Sequence, residues 1–271
     1  MTQRRRIDCW PLVLGLALFF PATSSAAAPT VEPTAVEPPR AARRCPESPR
    51  AAPAGFVDLR EAIPGLRFDI RYHSADNFTG APIDGYGAPG AWLLAAPAQA
   101  LARVQSALAA QGLGLVIFDA YRPRRATDAM AAWAERTNQT ALLDGGYIAR
   151  RSRHNHGTTV DLGLVDRATG ALVDMGTDFD TLTPASRTRA AQGAFLERRL
   201  RLKDAMEKEG FRAYFREWWH FQFEVTGSRP RDVPYGRCER DEPPAFRRPA
   251  ERAPPVPAAP RVNSQNSAPK N

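Results

Sequence analysis

The chain has 271 residues, of which 43% are hydrophobic and 24% are charged, and these ordinary globular proportions exclude disorder along the whole length. Its formal net charge is +8, and arginine supplies almost all of it. Basic proteins can bind nucleic acid, but no basic run here alternates with aromatic residues, as a groove for single strands requires. We therefore expect no nucleic-acid partner.

Residues 1–28 have the three parts of a secretory signal peptide. Arginines at 4–6 form the positively charged start, an apolar run follows over 12–20, and small residues at 24–28 offer a cleavage site. The apolar run is about half of the roughly 20 residues that a membrane-spanning helix requires. We therefore predict an exported protein, with the periplasm as its expected location and no stable membrane span after signal cleavage.

Composition divides the rest of the chain into one folded part and two margins. Residues 29–44 are rich in Pro, Ala and Arg, and residues 242–271 in Pro, Ala, Ser and Asn, so both are predicted to be disordered. Residues 45–241 contain aromatic and branched residues throughout, which predicts a single domain. Cys45 and Cys238 lie at its two ends. In an exported protein such a pair predicts a disulfide, with two free thiols as the alternative.

Apolar periodicity predicts a mixture of strands and helices along this domain. In chain order, we predict a half-buried strand over 66–72, a turn at 77–80, a helix over 97–111 that ends at Gly112, a strand over 115–118, a helix over 125–136, a strand over 158–165, a helix in one or two pieces over 185–209 that ends at Gly210, and a strand-like stretch over 211–225. The order lacks a repeating strand–helix–strand rhythm. We therefore expect an α+β fold with a mainly antiparallel sheet flanked by helices.

The segment 152–161 reads Ser-Arg-His-Asn-His-Gly-Thr-Thr-Val-Asp and combines imidazoles with a carboxylate. Gly157 and the branched residues after it disfavour a helix. We therefore predict that His154 lies on a loop, that Asp161 lies on the strand after it, and that the two side chains converge.

A second segment, Glu-Trp-Trp-His at 217–220, places a carboxylate three positions before an imidazole. On a regular strand this odd spacing directs the two side chains to opposite faces. Glu217 and His220 can therefore serve one site only if the tryptophan pair lies at a bulge or a bend, a feature that is common beside active sites.

Two neutral imidazoles and one carboxylate are a usual ligand set for catalytic zinc. We predict one zinc ion per chain on His154, Asp161 and His220. Zinc brings the pKa of a water molecule towards about 7, and Glu217 is our candidate for the base that accepts the proton during attack. Arg122 follows an apolar strand and is predicted to stabilise the oxyanion.

Each of these residues also has a structural alternative. A histidine alone is more often a core or surface residue than a ligand, Glu217 can cap a helix or pair with an arginine, and Arg122 can form a salt bridge with Asp119. The combination is more informative than any single residue.

Together the motifs resemble the zinc D-alanyl-D-alanine dipeptidases associated with vancomycin resistance. The similar stretches are Ser-x-His-x-x-Gly-x-Thr-x-Asp at 152–161, Glu-Trp-Trp-His at 217–220, Asp-Ala-Tyr-Arg-Pro at 119–123, Asp-Asn-Phe-Thr-Gly at 76–80, Asp-Gly-Tyr at 84–86 and Met-Gly-Thr-Asp-Phe-Asp at 175–180. D,D-carboxypeptidases and the wider Hedgehog-like fold share the metal motifs, whereas Asn-Phe-Thr-Gly and Met-Gly-Thr favour the dipeptidases.

The resemblance implies a Hedgehog/DD-peptidase-like domain, the same three zinc ligands, Glu217 as general base and Arg122 at the transition state. It also implies substrate contacts, with Tyr72 and Asp180 near the free amine of a D-amino dipeptide. An acidic residue there suits a dipeptidase, because recognition of an ammonium group close to the scissile bond excludes longer chains.

For the free carboxylate, the resemblance implies contacts with Ser152 and with the backbone of Tyr86. The chain departs from the family pattern at Thr159, where alanine is commoner, and at His156, an additional imidazole that could support the site or act as an alternative ligand.

The first functional hypothesis is zinc-dependent hydrolysis of D-Ala-D-Ala to two D-alanines, with this small dipeptide or a related one as the partner. The alternatives are a D,D-carboxypeptidase or short muropeptide peptidase with the same chemistry, and a zinc-binding wall-recognition module without catalysis. Glu217 argues against the last. Export favours salvage of the dipeptide beside peptidoglycan over a role in glycopeptide resistance.

Overall fold

The computed structural model describes residues 43–44, 49–236 and 239–240. The predicted signal peptide, the tail over 242–271 and both Cys45 and Cys238 lie outside these residues, so these predictions stay open. Within the described part of the chain, no helix is both long and apolar enough to cross a membrane.

The elements alternate along the chain in an irregular order. The strands are β1 (Arg43–Arg44), β2 (Phe56–Asp58), β3 (Arg67–Phe68), β4 (Trp92–Leu94), β5 (Leu113–Asp119), β6 (Thr159–Asp166), β7 (Phe211–Ala213), β8 (His220–Phe223) and β9 (Glu239–Arg240). The α-helices are α1 (Leu59–Ala62), α2 (Ala95–Ala109), α3 (Arg124–Arg136), α4 (Ala141–Asp144) and α5 (Gly193–Lys208). Four 3₁₀ turns lie at Arg71–His73, Arg153–His156, Pro184–Ser186 and Thr188–Ala190.

The central sheet has five strands in the order β3-β5-β6-β8-β7. Only β3 and β5 run parallel, and every other neighbouring pair is antiparallel. The predicted α+β fold with a mainly antiparallel sheet is therefore confirmed. Two small antiparallel pairs, β2 with β4 and β1 with β9, lie outside this sheet.

The two central strands, β5 and β6, are almost entirely buried, as their continuous apolar runs require. Helix α2 packs on β5 and on α5, and α5 also packs on β7. Gly112, which has a φ of 75°, reverses the chain between α2 and β5. The apolar spacing of the sequence therefore correctly predicts β5, β6 and the helix α2 that packs on β5.

Two predicted elements differ from the structure. The strand predicted over 66–72 is paired only at Arg67–Phe68, and Tyr72 lies in a 3₁₀ turn instead. The side chain of Arg71 donates to Asp69 at 2.9 Å, a local contact that favours a turn. The helix predicted over 185–209 begins only at Gly193, and the residues before it form two 3₁₀ turns, in which the Ala185 and Arg187 carbonyl groups accept hydrogen bonds from the side chain of Arg199.

Candidate active site

The sheet register brings two aspartates and a histidine on three strands side by side. Asp119 at the end of β5 pairs with Asp161 on β6, and Asp161 pairs with His220 at the start of β8. A register shift between Ile117 and Asp119 re-aims the end of β5 at this point. The fold therefore places two of the predicted zinc ligands on adjacent strands.

The third ligand, His154, lies on the 3₁₀ turn Arg153–His156. Ser152 caps this turn by accepting a hydrogen bond from the His154 N–H group at 3.2 Å, and Asn155 accepts one in return from the Ser152 N–H group at 3.4 Å. Gly157, in the left-handed region at a φ of 70°, ends the turn and starts β6. The predicted loop is thus a rigid capped turn.

The three ligand atoms converge closely enough for one metal ion. Asp161 Oδ1 lies 2.9 Å from His220 Nδ1 and 3.2 Å from His154 Nε2, and the two nitrogens are 3.3 Å apart. Although these distances are short, Asp161 Oδ1 has no well-oriented hydrogen-bond partner among the described residues. Three atoms with lone pairs that lie this close together are suited to bind one shared cation. Two imidazole nitrogens and one carboxylate oxygen are a ligand set that fits zinc.

Contacts behind the ligands fix which ring nitrogen is available. His154 Nδ1 donates to the Ala120 carbonyl oxygen at 2.6 Å, which leaves Nε2 free for a metal. His220 Nε2 lies 3.2 Å from the side-chain amide nitrogen of Gln222. Rotation of this amide by 180° would bring its oxygen to the same place, where it would accept the Nε2 hydrogen and leave Nδ1 for a metal. Burial lowers the pKa of His220, so its neutral, ligating form is favoured. Sequence reasoning did not identify Gln222.

Glu217 lies in the turn that precedes β8, so the required bend at the tryptophan pair is present. The residue is only 7% exposed, and one carboxylate oxygen lies 3.7 Å from His220 Nδ1. Burial raises the pKa of Glu217 well above its ordinary value, and the charges of Asp161 and Asp180 raise it further. A carboxyl group in these surroundings readily takes up a proton.

Arg122 lies just beyond β5 with its guanidinium between Asp119 and Asp161. It is 2.9 Å from Asp119 Oδ2, 3.7 Å from Asp161 Oδ2 and 5.5 Å from the centre of the Tyr72 ring. The salt bridge considered as its alternative role is therefore present, yet Arg122 also lines the cavity. The salt bridge holds the guanidinium in place.

Asp119 supports several members of the site at once. Its carboxylate contacts Arg122, lies 3.4 Å from His154 Nδ1 and accepts a hydrogen bond from the Tyr86 hydroxyl at 2.5 Å. From the sequence alone, Asp119 is expected only as a possible partner of Arg122. The sequence feature that pointed to a role for Asp119 in the site was its place in the Asp-Ala-Tyr-Arg-Pro motif.

A cavity of about 200 Å³ opens beside the ligand cluster. Its wall includes all three predicted ligands, Glu217 and Arg122, together with the apolar side chains of Phe78, Met130, Ile148, Leu182 and Trp219. A space of this size suits a small peptide bearing short side chains.

One side of the cavity carries the predicted amine site. Tyr72 donates a hydrogen bond to Asp180 Oδ1 at 3.1 Å. Burial, together with the charge of Asp161, raises the pKa of Asp180 to about 8. Asp180 also adopts a left-handed backbone at a φ of 62°, which is rare for a residue other than glycine.

Ser152 lines the cavity near the ligands, but Tyr86 does not. The Tyr86 ring is fully buried, and its N–H group already donates to the Ile83 carbonyl oxygen. Arg151, which the sequence analysis did not select, does line the cavity and forms no ion pair with any described residue. Ser152 and Arg151, and not Tyr86, are therefore the residues in the cavity wall that could contact a substrate carboxylate.

His156 lies apart from the ligand cluster. Its Nδ1 atom is 3.2 Å from the Ser228 hydroxyl oxygen, and the residue lines a different depression near Val225 and Arg231. It is therefore not a member of the cluster that could hold a metal.

Comparison with known proteins identifies a family whose sequence model matches this chain. The peptidase M15 family, described as D-ala-D-ala dipeptidase, matches residues 52–233. A D-alanyl-D-alanine dipeptidase of Enterococcus faecium is 36% identical over 208 residues, covering 70% of this chain and 98% of that protein. Another from Enterococcus faecalis is 37% identical over 183 residues, covering 62% and 91%. A third from Streptomyces coelicolor is 37% identical over 181 residues, covering 61% and 89%.

Proposed function

The chain belongs to the peptidase M15 family of D-Ala-D-Ala dipeptidases and is a metallopeptidase, and we propose that it hydrolyses D-Ala-D-Ala to two D-alanines with one zinc ion. The observation that carries this proposal is the convergence of His154, Asp161 and His220 beside Glu217 on a cavity of dipeptide size. When bound, zinc supplies Lewis-acid activation of a water molecule and of the scissile carbonyl.

Glu217 is proposed as the general base and then the general acid. Its carboxylate accepts a proton from the water whose oxygen attacks the carbonyl carbon, and it returns that proton to the leaving nitrogen as the C–N bond breaks. The raised pKa of Glu217 suits both halves of this cycle, because a proton must be held between them.

Arg122 is proposed to stabilise the negative charge that develops on the carbonyl oxygen. Asp119 holds the guanidinium before the substrate arrives, so little reorganisation is needed during the reaction. Burial lowers the pKa of Arg122, but the charges of Asp119, Tyr72, Tyr86 and Asp161 together outweigh it and raise the pKa, so the guanidinium stays charged at any working pH.

The two ends of the dipeptide are proposed to bind on opposite sides of the cavity. Asp180 and Tyr72 would receive the ammonium group, and Ser152 and Arg151 the carboxylate. A longer peptide would place an uncharged amide, not an ammonium group, against Asp180. This arrangement favours the dipeptidase over the carboxypeptidase alternative.

The test compares hydrolysis of D-Ala-D-Ala with that of tripeptides and pentapeptides ending in D-Ala-D-Ala, using zinc-loaded and chelator-treated enzyme. We expect the dipeptide to be cleaved far faster than the longer peptides, and both activities to be lost when zinc is removed. Preference for the longer peptides would instead identify a carboxypeptidase, and no cleavage by the zinc-loaded protein would favour a recognition module.

Substitution of Glu217 separates chemistry from metal binding. Glu217→Gln should keep its zinc and lower kcat by about a hundredfold or more, because the proton acceptor is removed. Glu135→Gln is the matched control, since Glu135 is exposed and pairs with Arg150 away from the cavity. Full activity of Glu217→Gln would disprove the role of this residue.

A further inference from the structure

Arg199 on α5 is a buried arginine without an acidic partner. Only 1% of the residue is exposed, and no carboxylate of the described residues lies within ion-pair distance. Burying a guanidinium is unfavourable unless its N–H groups find acceptors. The partners of Arg199 should therefore show why the fold retains it.

All of its hydrogen-bond acceptors belong to one loop, residues 175–187. Nε donates to the Met175 carbonyl oxygen at 2.7 Å, and Nη1 donates to the carbonyl oxygens of Ala185 and Arg187 at 2.9 and 2.8 Å. Nη2 donates to the Thr177 hydroxyl oxygen at 3.2 Å. One side chain thus fastens both ends of the loop.

The middle of this loop carries Asp180, the proposed amine-binding residue. Its backbone is left-handed, with a φ of 62°, a conformation that is uncommon for residues with a β-carbon even though aspartate adopts it more readily than most. Such a conformation persists only when surrounding contacts hold it. The hydrogen bonds from Arg199 at both ends of the loop supply that restraint.

The same cluster reaches the turn that bears the proposed base. Trp218, which directly follows Glu217, donates from its indole N–H group to the Thr177 hydroxyl oxygen at 2.9 Å. Its backbone N–H group donates to the Ser186 carbonyl oxygen at 3.0 Å. The Arg199 guanidinium also lies 5.9 Å from the centre of the Trp218 ring.

We propose that Arg199 is a positioning residue that holds the Asp180 loop against the Glu217 turn, and that selectivity for dipeptides depends on it. This inference rests on the proposed function. Arginine suits the role because its planar fork donates several hydrogen bonds in fixed directions, whereas the ammonium group of lysine cannot reach acceptors so far apart.

The primary test is a ratio of rates. We compare kcat/KM for D-Ala-D-Ala with kcat/KM for L-Lys-D-Ala-D-Ala, because any loss of correctly folded enzyme lowers both values equally and cancels. Arg199→Met should reduce the ratio by about tenfold, since a misplaced Asp180 no longer selects the free amine. Zinc content should stay at one ion per chain.

Two further variants keep the test informative if Arg199→Met folds poorly. Thr177→Val preserves shape but removes the shared hydroxyl, and should reduce the ratio by about threefold. Arg201→Met, on the exposed face of the same helix, is the matched control and should change it less than about twofold. An unchanged ratio in both Arg199→Met and Thr177→Val would overturn the proposal.

Hydrogen exchange provides a measurement that does not depend on turnover. Arg199→Met should exchange faster at the amides of residues 175–187 and 217–219, while β5 and β6 keep their protection. Exchange that is unchanged in both segments would overturn the positioning role. If the wild-type enzyme failed to cleave the dipeptide, that result would contradict the proposed function. Hydrogen exchange would still test the positioning role of Arg199, because it does not require turnover.

Discussion

At the scale of single residues, the cavity concentrates negative charge. Asp161, Asp180 and Glu217 all line it, Asp119 lies directly behind, and Arg122 is the cation placed among them. Burial and mutual repulsion raise the pKa values of Asp119, Asp180 and Glu217. A bound divalent cation would relieve this repulsion, which gives metal binding a consequence for stability as well as for catalysis.

The metal-free protein should lose stability as the pH rises. Asp180 has a pKa of about 8 in the folded protein and about 3.9 when unfolded. Between these values the folded state binds more protons than the unfolded state, so the free energy of unfolding decreases with increasing pH. Urea unfolding of chelator-treated protein between pH 5 and pH 8 measures this slope.

Asp180→Asn should flatten that pH dependence, because the titrating group is removed. The control is Asp204→Asn on the exposed face of α5, which should leave the slope as it is in the wild type. The explanation fails if the slope of Asp180→Asn matches that of the wild type.

Thr159 carries a buried hydroxyl oxygen without a hydrogen-bond partner among the described residues. Replacing it with valine keeps the branched shape that suits β6 and removes the unpaired polar group. Thr159→Val should therefore raise the free energy of unfolding by about 1 kcal/mol, measured by urea titration.

Thr158 is the matched control, because it is equally buried but its hydroxyl donates to the Arg153 carbonyl oxygen at 3.4 Å. Thr158→Val should lower the free energy of unfolding by about 0.5 to 1 kcal/mol. If Thr159→Val were the more destabilising of the two, the hydroxyl of Thr159 would have a partner that this account lacks.

The sequence analysis names the residues whose chemical type the reaction demands. His154, Asp161, His220 and Glu217 stand out because imidazoles and carboxylates are spaced within two short segments, and the structure brings them together. Arg199 acts through backbone carbonyl groups far from it in sequence, as do other supporting residues. No short sequence motif identifies residues that act through contacts so distant in the sequence.

At the scale of elements, the local sequence pattern predicts β5 and β6 but does not predict the loop 175–187. The two strands are continuous apolar runs, and burial alone determines their state. Residues 185–192 have helical composition but do not form an α-helix, and two of their carbonyl oxygens, those of Ala185 and Arg187, accept hydrogen bonds from Arg199. Tertiary hydrogen bonds of this kind can override local propensity.

The turn that bears His154 depends on Gly157. A β-carbon at this position would lie 2.3 Å from Phe56 Cε1, and the backbone has a φ of 70°. Gly157→Ala should therefore reduce the free energy of unfolding by about 3 kcal/mol or more and weaken zinc binding, because His154 is displaced. Calorimetry and zinc titration measure the two effects.

Gly112→Ala isolates the backbone contribution. Gly112 has a similar φ of 75°, but no atom lies within 4 Å of the added β-carbon. This variant should lose only about 1 to 2 kcal/mol and bind zinc normally. Equal effects of the two substitutions would show that Phe56 moves aside and that the turn tolerates a side chain.

At the scale of the whole molecule, the described margins of the domain meet. β1 and β9 pair antiparallel, with Arg43 opposite Arg240 and Arg44 opposite Glu239. Arg44 directly precedes Cys45 in the sequence, and Glu239 directly follows Cys238. This pairing supports the predicted disulfide, although neither cysteine lies among the described residues.

We therefore predict that Cys45 and Cys238 form a disulfide. Alkylation without reduction, followed by intact-mass analysis, should show no labelled thiol in the mature chain, and the same mass should show that Cys9 has left with the signal peptide.

Because the bond closes nearly the whole domain into a loop, Cys45→Ser/Cys238→Ser should lose about 3 to 5 kcal/mol of unfolding free energy. Each single variant should lose a similar amount, since either one breaks the same bond. Labelling of both thiols in the untreated wild type would disprove the bridge and leave the β1–β9 pair to join the two margins alone.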